Sequence, residues 1–350
     1  MSNTPKVSVV LPNYNHSLYL RERIDSILNQ TYQDFELIIL DDKSPDNSVE
    51  IIESYRNHEK VSHIVINTEN SGSTFRQWDK GFSLASGEYI WIAESDDYAE
   101  PTFLERCVAA LVSNDKAALA FADSNFVNEN GKKCKCWIEQ LEIPESEDHI
   151  KDGAVRYLGV DFVRDYLLYN NNLYNASMIL FRKSALNGVS NYYRTFRGSG
   201  DWVFWAEMVI ERELMHIPER LSSFRQHTNK VSSKMLDDGN RYFEAASIFI
   251  YITNLFAYFS KLSNCNSQEI IESIKIERAN YAKSLLDKYN YLQNPNNKDK
   301  KFLGGLIKIT NVSKSKRCNL SLALPLYKIK YKPNKENHYL LGFIPFIKIK

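Results

Sequence analysis

Apolar and polar positions in the first half of the chain follow two alternating rhythms. Val7–Leu11 (VSVVL) and Phe35–Leu40 (FELIIL) are short, β-branched and almost unbroken apolar runs. That is the pattern of strands buried on both faces of a parallel sheet. Between them Leu20, Ile24, Ile27 and Leu28 recur at helical spacing, which places one apolar stripe on a polar helix. The alternation goes on to predict strands at His63–Asn67 and Glu88–Ala93 flanking a helix over residues 73–85. A helix opened by Pro101 and a strand over Ala117–Ala122 come next. Strand and helix in regular succession predict an α/β domain whose mixed, mainly parallel sheet carries helices on both faces.

After about Asn130 the rhythm loosens. Asn130-Gly131 marks a turn, and the acidic stretch Glu139–Asp152 reads as a surface loop. Helices over Val160–Leu168 and Asp201–Ile210, with strands over Ala176–Phe181 and Leu214–Gln226, complete a predicted domain of residues 1–235. Residues 236–297 read as a helical extension, with Phe243, Ala246, Ile250, Ile270, Ile274 and Ala282 on apolar faces. Packing on the first domain and a homodimer contact are both open to it. The polar cluster Asn294–Lys298 is a linker signal, and residues 298–350 form a tail of short alternating pieces such as GFIPFIKIK.

Composition narrows the class. With 43% hydrophobic and 25% charged residues over 350 positions, the chain reads as soluble and globular rather than disordered. Its longest apolar run, Ile248–Phe259, is interrupted by Thr253 and Asn254 and falls short of the roughly 20 residues of a spanning helix, so none is expected. The N-terminus enters a strand pattern directly, so no secretory signal is expected either. Five cysteines form neither an even set nor paired CxxC motifs, which points to a reducing cytoplasm. The formal charge of +1 conceals an asymmetry. Residues 298–350 carry thirteen Lys and Arg against Asp299 and Glu336, so the tail holds +11 and the rest of the chain −10. Basic residues interleaved with Leu, Ile, Phe and Tyr suit an anionic membrane surface, and equally a half-buried strand. Nucleic acid is disfavoured because the basic residues are confined to one end.

Candidate chemistry gathers where two predicted strands end. Asp41-Asp42 follows FELIIL, and Asp96-Asp97 closes EYIWIAESDD. Ligands of open α/β sheets bind at the carboxyl ends of strands, and hard cations bind one or two carboxylates together with substrate phosphates. Helix capping is the alternative for each acid. For Asp201, Ser-Gly-Asp ahead of an apolar helix is likewise a good helix start.

These segments also carry a family likeness. VSVVLPNYN, ILNQTYQDFELIILDDKSPDNS, SGEYIWIAESDD and GDWVFWAEM, in this order, resemble the inverting family 2 glycosyltransferases of GT-A fold, over roughly Lys6–Ser233. The resemblance implies transfer of a sugar from a nucleotide-diphosphate sugar, with a UDP-sugar favoured, to a glycan or lipid-linked acceptor, assisted by Mn²⁺ or Mg²⁺. It implies bacterial surface-polysaccharide assembly on the cytoplasmic side, with the enzyme peripheral to the inner membrane. By position it gives Pro12, Tyr14, Asp41 and Asp42 to the nucleotide base, Asp96 to the ribose or the metal shell, and Asp97 to the metal with His227. Asp201 is then the general base. Gly200 stands where the family commonly has an acid, and Glu94 fills the first slot of the family's DxD motif. Trp78 and Asp79 fall where many members carry arginine and asparagine, leaving Arg76 or Lys80, on one helical face, to be aimed at the diphosphate. A catalytically inactive binding module and a nucleotidyltransferase are the rival readings. The second lacks a glycine-rich basic loop after Val7–Leu11.

Overall fold

The computed structural model describes residues 5–135, 150–151, 153–227, 240–262 and 268–293, and four short tail strands within 307–345. The linker signal Asn294–Lys298 and most of the predicted acidic loop lie outside the described residues. The chain divides into two compact units, one of residues 1–162 and 170–230, the other of residues 163–169 and 231–350.

In the first unit, β1 (Val7–Asn13), β2 (Phe35–Asp41), β3 (Val61–Ile66) and β4 (Tyr89–Ile92) pair in parallel in the order β3-β2-β1-β4. Every residue of β1, β2 and β4 is buried, while the edge strand β3 is not, which is why the first three read as unbroken apolar runs. The two-residue strand β5 (Tyr98–Ala99) follows β4. Strand β6 (Ala117–Asn128) is longer than the predicted Ala117–Ala122. Beyond it come β7 (Ile150–Lys151), β8 (Ala154–Leu158), β9 (Ile179–Arg182) and β10 (Glu213–Gln226). Strand β9 runs antiparallel between β4 and β6, and β6 and β10 are parallel. Two reversals therefore restore direction, and β1, β2, β4, β6 and β10 all end at one edge of the sheet.

Helices α1 (Ser17–Leu28), α2 (Ser48–Ser54), α3 (Thr74–Leu84) and α4 (Phe103–Ser113) fill the connections. Leu20, Ile24 and Ile27 of α1 share one core with Val9, Leu11, Leu37 and Leu104, each such side chain contributing about 1.5–3 kcal/mol on burial. On the other face α3 comes close enough to β1 that a methyl at Gly81 would lie 2.2 Å from Val10 Cγ1. The expected helix over Val160–Leu168 is a single turn, α5 (Gly159–Phe162), followed by the π-helical turn Val163–Leu167. Helix α6 (Gly200–Val209) brings Trp205 and Phe204 against Trp78 of α3.

The second unit contains helices Asn240–Leu262 and Gln268–Gln293. The apolar run expected to be too short to span a membrane sits inside the first of these. Its Asn240–Ser260 stretch is long and apolar enough by length and composition, and 67% of that window is buried within the protein, as in the core helix of a helical unit. Arg278 lies over the Tyr169 ring at 4.1 Å and donates to the Leu168 carbonyl. In the tail, Ile307–Ile309 pairs with Leu320–Leu322 and Tyr339–Leu340 with Ile344–Pro345, both antiparallel.

Candidate active site

The common edge where the parallel strands end is built from three turns. The first two are the loops after β1 and β2. Asn13 Nδ2 donates to Asp41 Oδ2 at 2.7 Å, and Ser44 donates to the same carboxylate through its N–H (2.8 Å) and its hydroxyl (2.6 Å). Asp42 accepts from Asn67 Nδ2, from the N–H and hydroxyl of Ser71, and from Gln77 Nε2, all at 2.6–2.9 Å. Both acids are buried. The sequence reading gave both to the nucleotide base; in the structure internal donors hold both carboxylates and tie β2 to its neighbouring loops. Alternation along the strand explains the split, since adjacent residues point to opposite faces. Pro12 is buried within β1 opposite Leu40. Tyr14 stands 48% exposed at the rim, free to stack on a planar ring. Asn15 and Lys43, one in each loop, take left-handed φ of 59° and 61°, a costly conformation for lysine that is held by the surrounding contacts.

The third turn follows β4. Strand β5 pairs antiparallel with β10 at Ser222–Ser223, and this brings the end of β10 across Glu94–Asp97. The four residues then splay. Glu94 Oε1 accepts from Trp78 Nε1 at 2.9 Å. Burial, with Asp96 and Asp97 adding to it, pushes the Glu94 carboxyl up to about 8. Ser95 Oγ meets His16 Nδ1 at 2.9 Å, and Asp96 Oδ2 meets His227 Nε2 at 2.9 Å. Asp97 accepts from Asn175 Nδ2 (2.8 Å) and from the Arg225 N–H (3.0 Å). Arg225 Nε also donates to the Asp96 carbonyl at 2.8 Å.

The arrangement revises one expectation. The structure groups Asp96, not Asp97, with His227, and adds His16. One donor atom from each of the three lies within 4.8 Å of the others. Asp97 is 1% exposed, and its bonds from Asn175 and the Arg225 N–H tie the turn to the fold. Two imidazoles and a carboxylate form a donor set suited to a divalent transition-metal ion, and the residues fit such a group. The segment NYNH contains the clue to His16, a histidine placed directly after the first strand.

Asp201 lies in the first turn of α6, and Asn171 Nδ2 donates to its Oδ2 at 2.9 Å. Asn171 and Asn175 belong to one loop, four residues apart, so about 14 Å of extended chain at most separates the residue holding Asp201 from the one holding Asp97. Gly200 has a packing reason. A methyl there would lie 2.1 Å from the Tyr193 carbonyl oxygen and 2.8 Å from the Phe75 ring, so no acid fits. Arg76 is exposed and donates to the Ser71 carbonyl at 3.1 Å, beside the Asp42 loop. Asp79, in a slot the family likeness gives to asparagine, pairs with Arg194 at 2.6 Å.

The family model described as glycosyl transferase family 2 matches residues 8–187. An uncharacterized glycosyltransferase of Haemophilus influenzae is 27% identical over 284 residues, spanning 80% of this chain and 84% of its own. The putative glycosyltransferase EpsH of Bacillus subtilis is 28% identical over 265 residues, spanning 74% of this chain and 73% of its own. Among solved structures, TarS 1–349 of S. aureus in complex with UDP-GlcNAc superposes with a TM-score of 0.56 at 17% identity, over 91% of this chain and 97% of that one. At that identity the likeness establishes a shared fold.

Proposed function

The chain belongs to glycosyl transferase family 2, and we propose from that premise that it transfers a sugar from a nucleotide-diphosphate donor to a hydroxyl with inversion at the anomeric carbon. The observation that carries the reading is the single loop whose Asn171 holds Asp201 and whose Asn175 holds Asp97. It ties the Asp201 carboxylate and the acidic turn to the same short stretch of chain. Asp201 accepts the proton of the acceptor hydroxyl as that oxygen attacks the anomeric carbon. The bond from that carbon to the diphosphate oxygen breaks, and its electron pair leaves with the diphosphate. Asp96, His227 and His16 would hold a divalent ion, which when bound would neutralise the departing charge. The two imidazoles favour Mn²⁺ over Mg²⁺, which prefers an all-oxygen shell. Tyr14 offers its face to the base, and Arg76 lies beside the same loops. The UDP-GlcNAc held by TarS supports a UDP-sugar as donor.

The reading places the enzyme in the cytoplasm, with its basic tail at the inner membrane and a glycan or lipid-linked acceptor. Binding of nucleotide sugars measured with Mn²⁺ and again with EDTA tests it. A UDP-sugar is expected to bind with Mn²⁺ and to weaken at least tenfold with EDTA. Equal binding in both conditions would remove the metal from the account.

A further inference from the structure

Behind the acidic turn lies a charge that the reaction as described does not use. Arg23 projects from the apolar stripe of α1 and is fully buried. Its guanidinium lies 4.7 Å over the Trp91 ring, and neither Nε, Nη1 nor Nη2 has a hydrogen-bond partner among the described residues. Burying a guanidinium without acceptors is costly, and a cation–π contact offsets only part of the cost. Trp91 stands on β4 three residues before Glu94, and its own Nε1 is fixed by the Ser177 carbonyl at 2.9 Å. The Arg23 ring contact is therefore pinned to the strand that carries Glu94, Asp96 and Asp97. Of the groups its charge acts on, Asp97 comes first, then Glu94 and Asp96. Burial pulls its pKa down to about 10 against those three acids, which leaves it charged at neutral pH.

We propose that Arg23 is an internal counter-cation that sets the balance between divalent cation and nucleotide diphosphate at the mouth. The proposal rests on the metal-assisted reading above and deepens it. A fixed positive charge in a poorly screened interior repels an incoming cation and attracts an incoming diphosphate. Arg23 touches neither ligand, so it is a positioning residue that acts through the acidic turn.

The test uses the full chain and two separate titrations, Mn²⁺ alone and UDP alone without metal, on wild type, R23M and R23K. R23M is expected to bind Mn²⁺ roughly tenfold more tightly and UDP roughly tenfold more weakly. R23K replaces the planar guanidinium with an ammonium that cannot reproduce the stack on Trp91, and is expected to fall between wild type and R23M in both. A packing role would move both ligands in the same direction, and that result, or unchanged affinities in a folded R23M, would overturn the proposal. D96N separates this inference from the metal reading. If D96N loses Mn²⁺ while R23M is unchanged, only the counter-cation fails; if D96N binds Mn²⁺ normally, the metal reading falls and this inference falls with it. Should R23M prove too unstable to titrate, thermal unfolding of R23M/D97N decides. Recovery relative to R23M supports the charge pairing, and no recovery overturns it.

Discussion

Asp201 and Gly200 show how packing and chemistry divide two adjacent positions. The backbone carbonyl of Tyr193 and the ring of Phe75 occupy the space a side chain at 200 would need, so the step into α6 has to be glycine, and in the proposed mechanism the neighbouring acid takes the proton without an acidic neighbour at 200. The absence of a second acid therefore does not favour an inactive binding module. G200A is expected to cost about 1–3 kcal/mol through overpacking, read as a lower midpoint in chemical denaturation. An unchanged midpoint would mean the close approach is softer than it looks. H16A and H227A belong to the same scale. Each removes one donor from a set of three, so Mn²⁺ affinity should fall at least tenfold while far-UV dichroism stays as in wild type. Retention of full affinity in H16A would remove His16 from the site and leave Asp96 with His227.

Among the elements, legibility followed burial. Strands β1, β2 and β4 are buried along their whole length, and their apolar runs gave them away. Strand β7 is two residues set in an acidic stretch, with too few side chains for any periodicity, and it was read as loop. The candidate site was legible as far as strand ends carrying acids. Which acid faces which way was not, because Asp97 is turned inward by the Arg225 N–H, 128 positions later, and only the β5–β10 pairing brings the two together. Arg23 was hidden for another reason, since it lies on a stripe otherwise filled by Leu20, Ile24 and Ile27. Glu36 links elements in a similar way. It is 8% exposed and accepts from the Ser8 hydroxyl (2.7 Å) and from the Ser86 N–H and hydroxyl (2.8 and 2.6 Å). Burial raises its pKa, but the hydrogen bonds of Ser86, Ser62 and Ser8 outweigh that and hold it below the ordinary glutamate value. Its stabilising effect is therefore full above the unfolded-state pKa and lost as pH falls through the lowered folded-state one. E36Q should be about 1–3 kcal/mol less stable near neutrality, with the gap closing in acid. A gap independent of pH in unfolding titrations would show that the carboxylate charge plays no part.

At the scale of the whole molecule, charge is unevenly divided along the chain. The parallel strands deliver the chemistry to one edge of the first unit, while the residues from 298 onward carry +11. A chain cut after Asn297 should lose most of its flotation with anionic vesicles while keeping nucleotide-sugar binding. Undiminished flotation would assign membrane contact, if any, to another surface. The account as a whole stands on Asp201 and the Asp96–His227–His16 group acting on one substrate from opposite sides. Single-turnover kinetics of D201N with Mn²⁺ and a donor that the wild type uses test this most directly. The account predicts donor and Mn²⁺ affinities within about threefold of wild type and a chemical step slowed by roughly 10²–10⁴, and a D201N chemical step at the wild-type rate would contradict it.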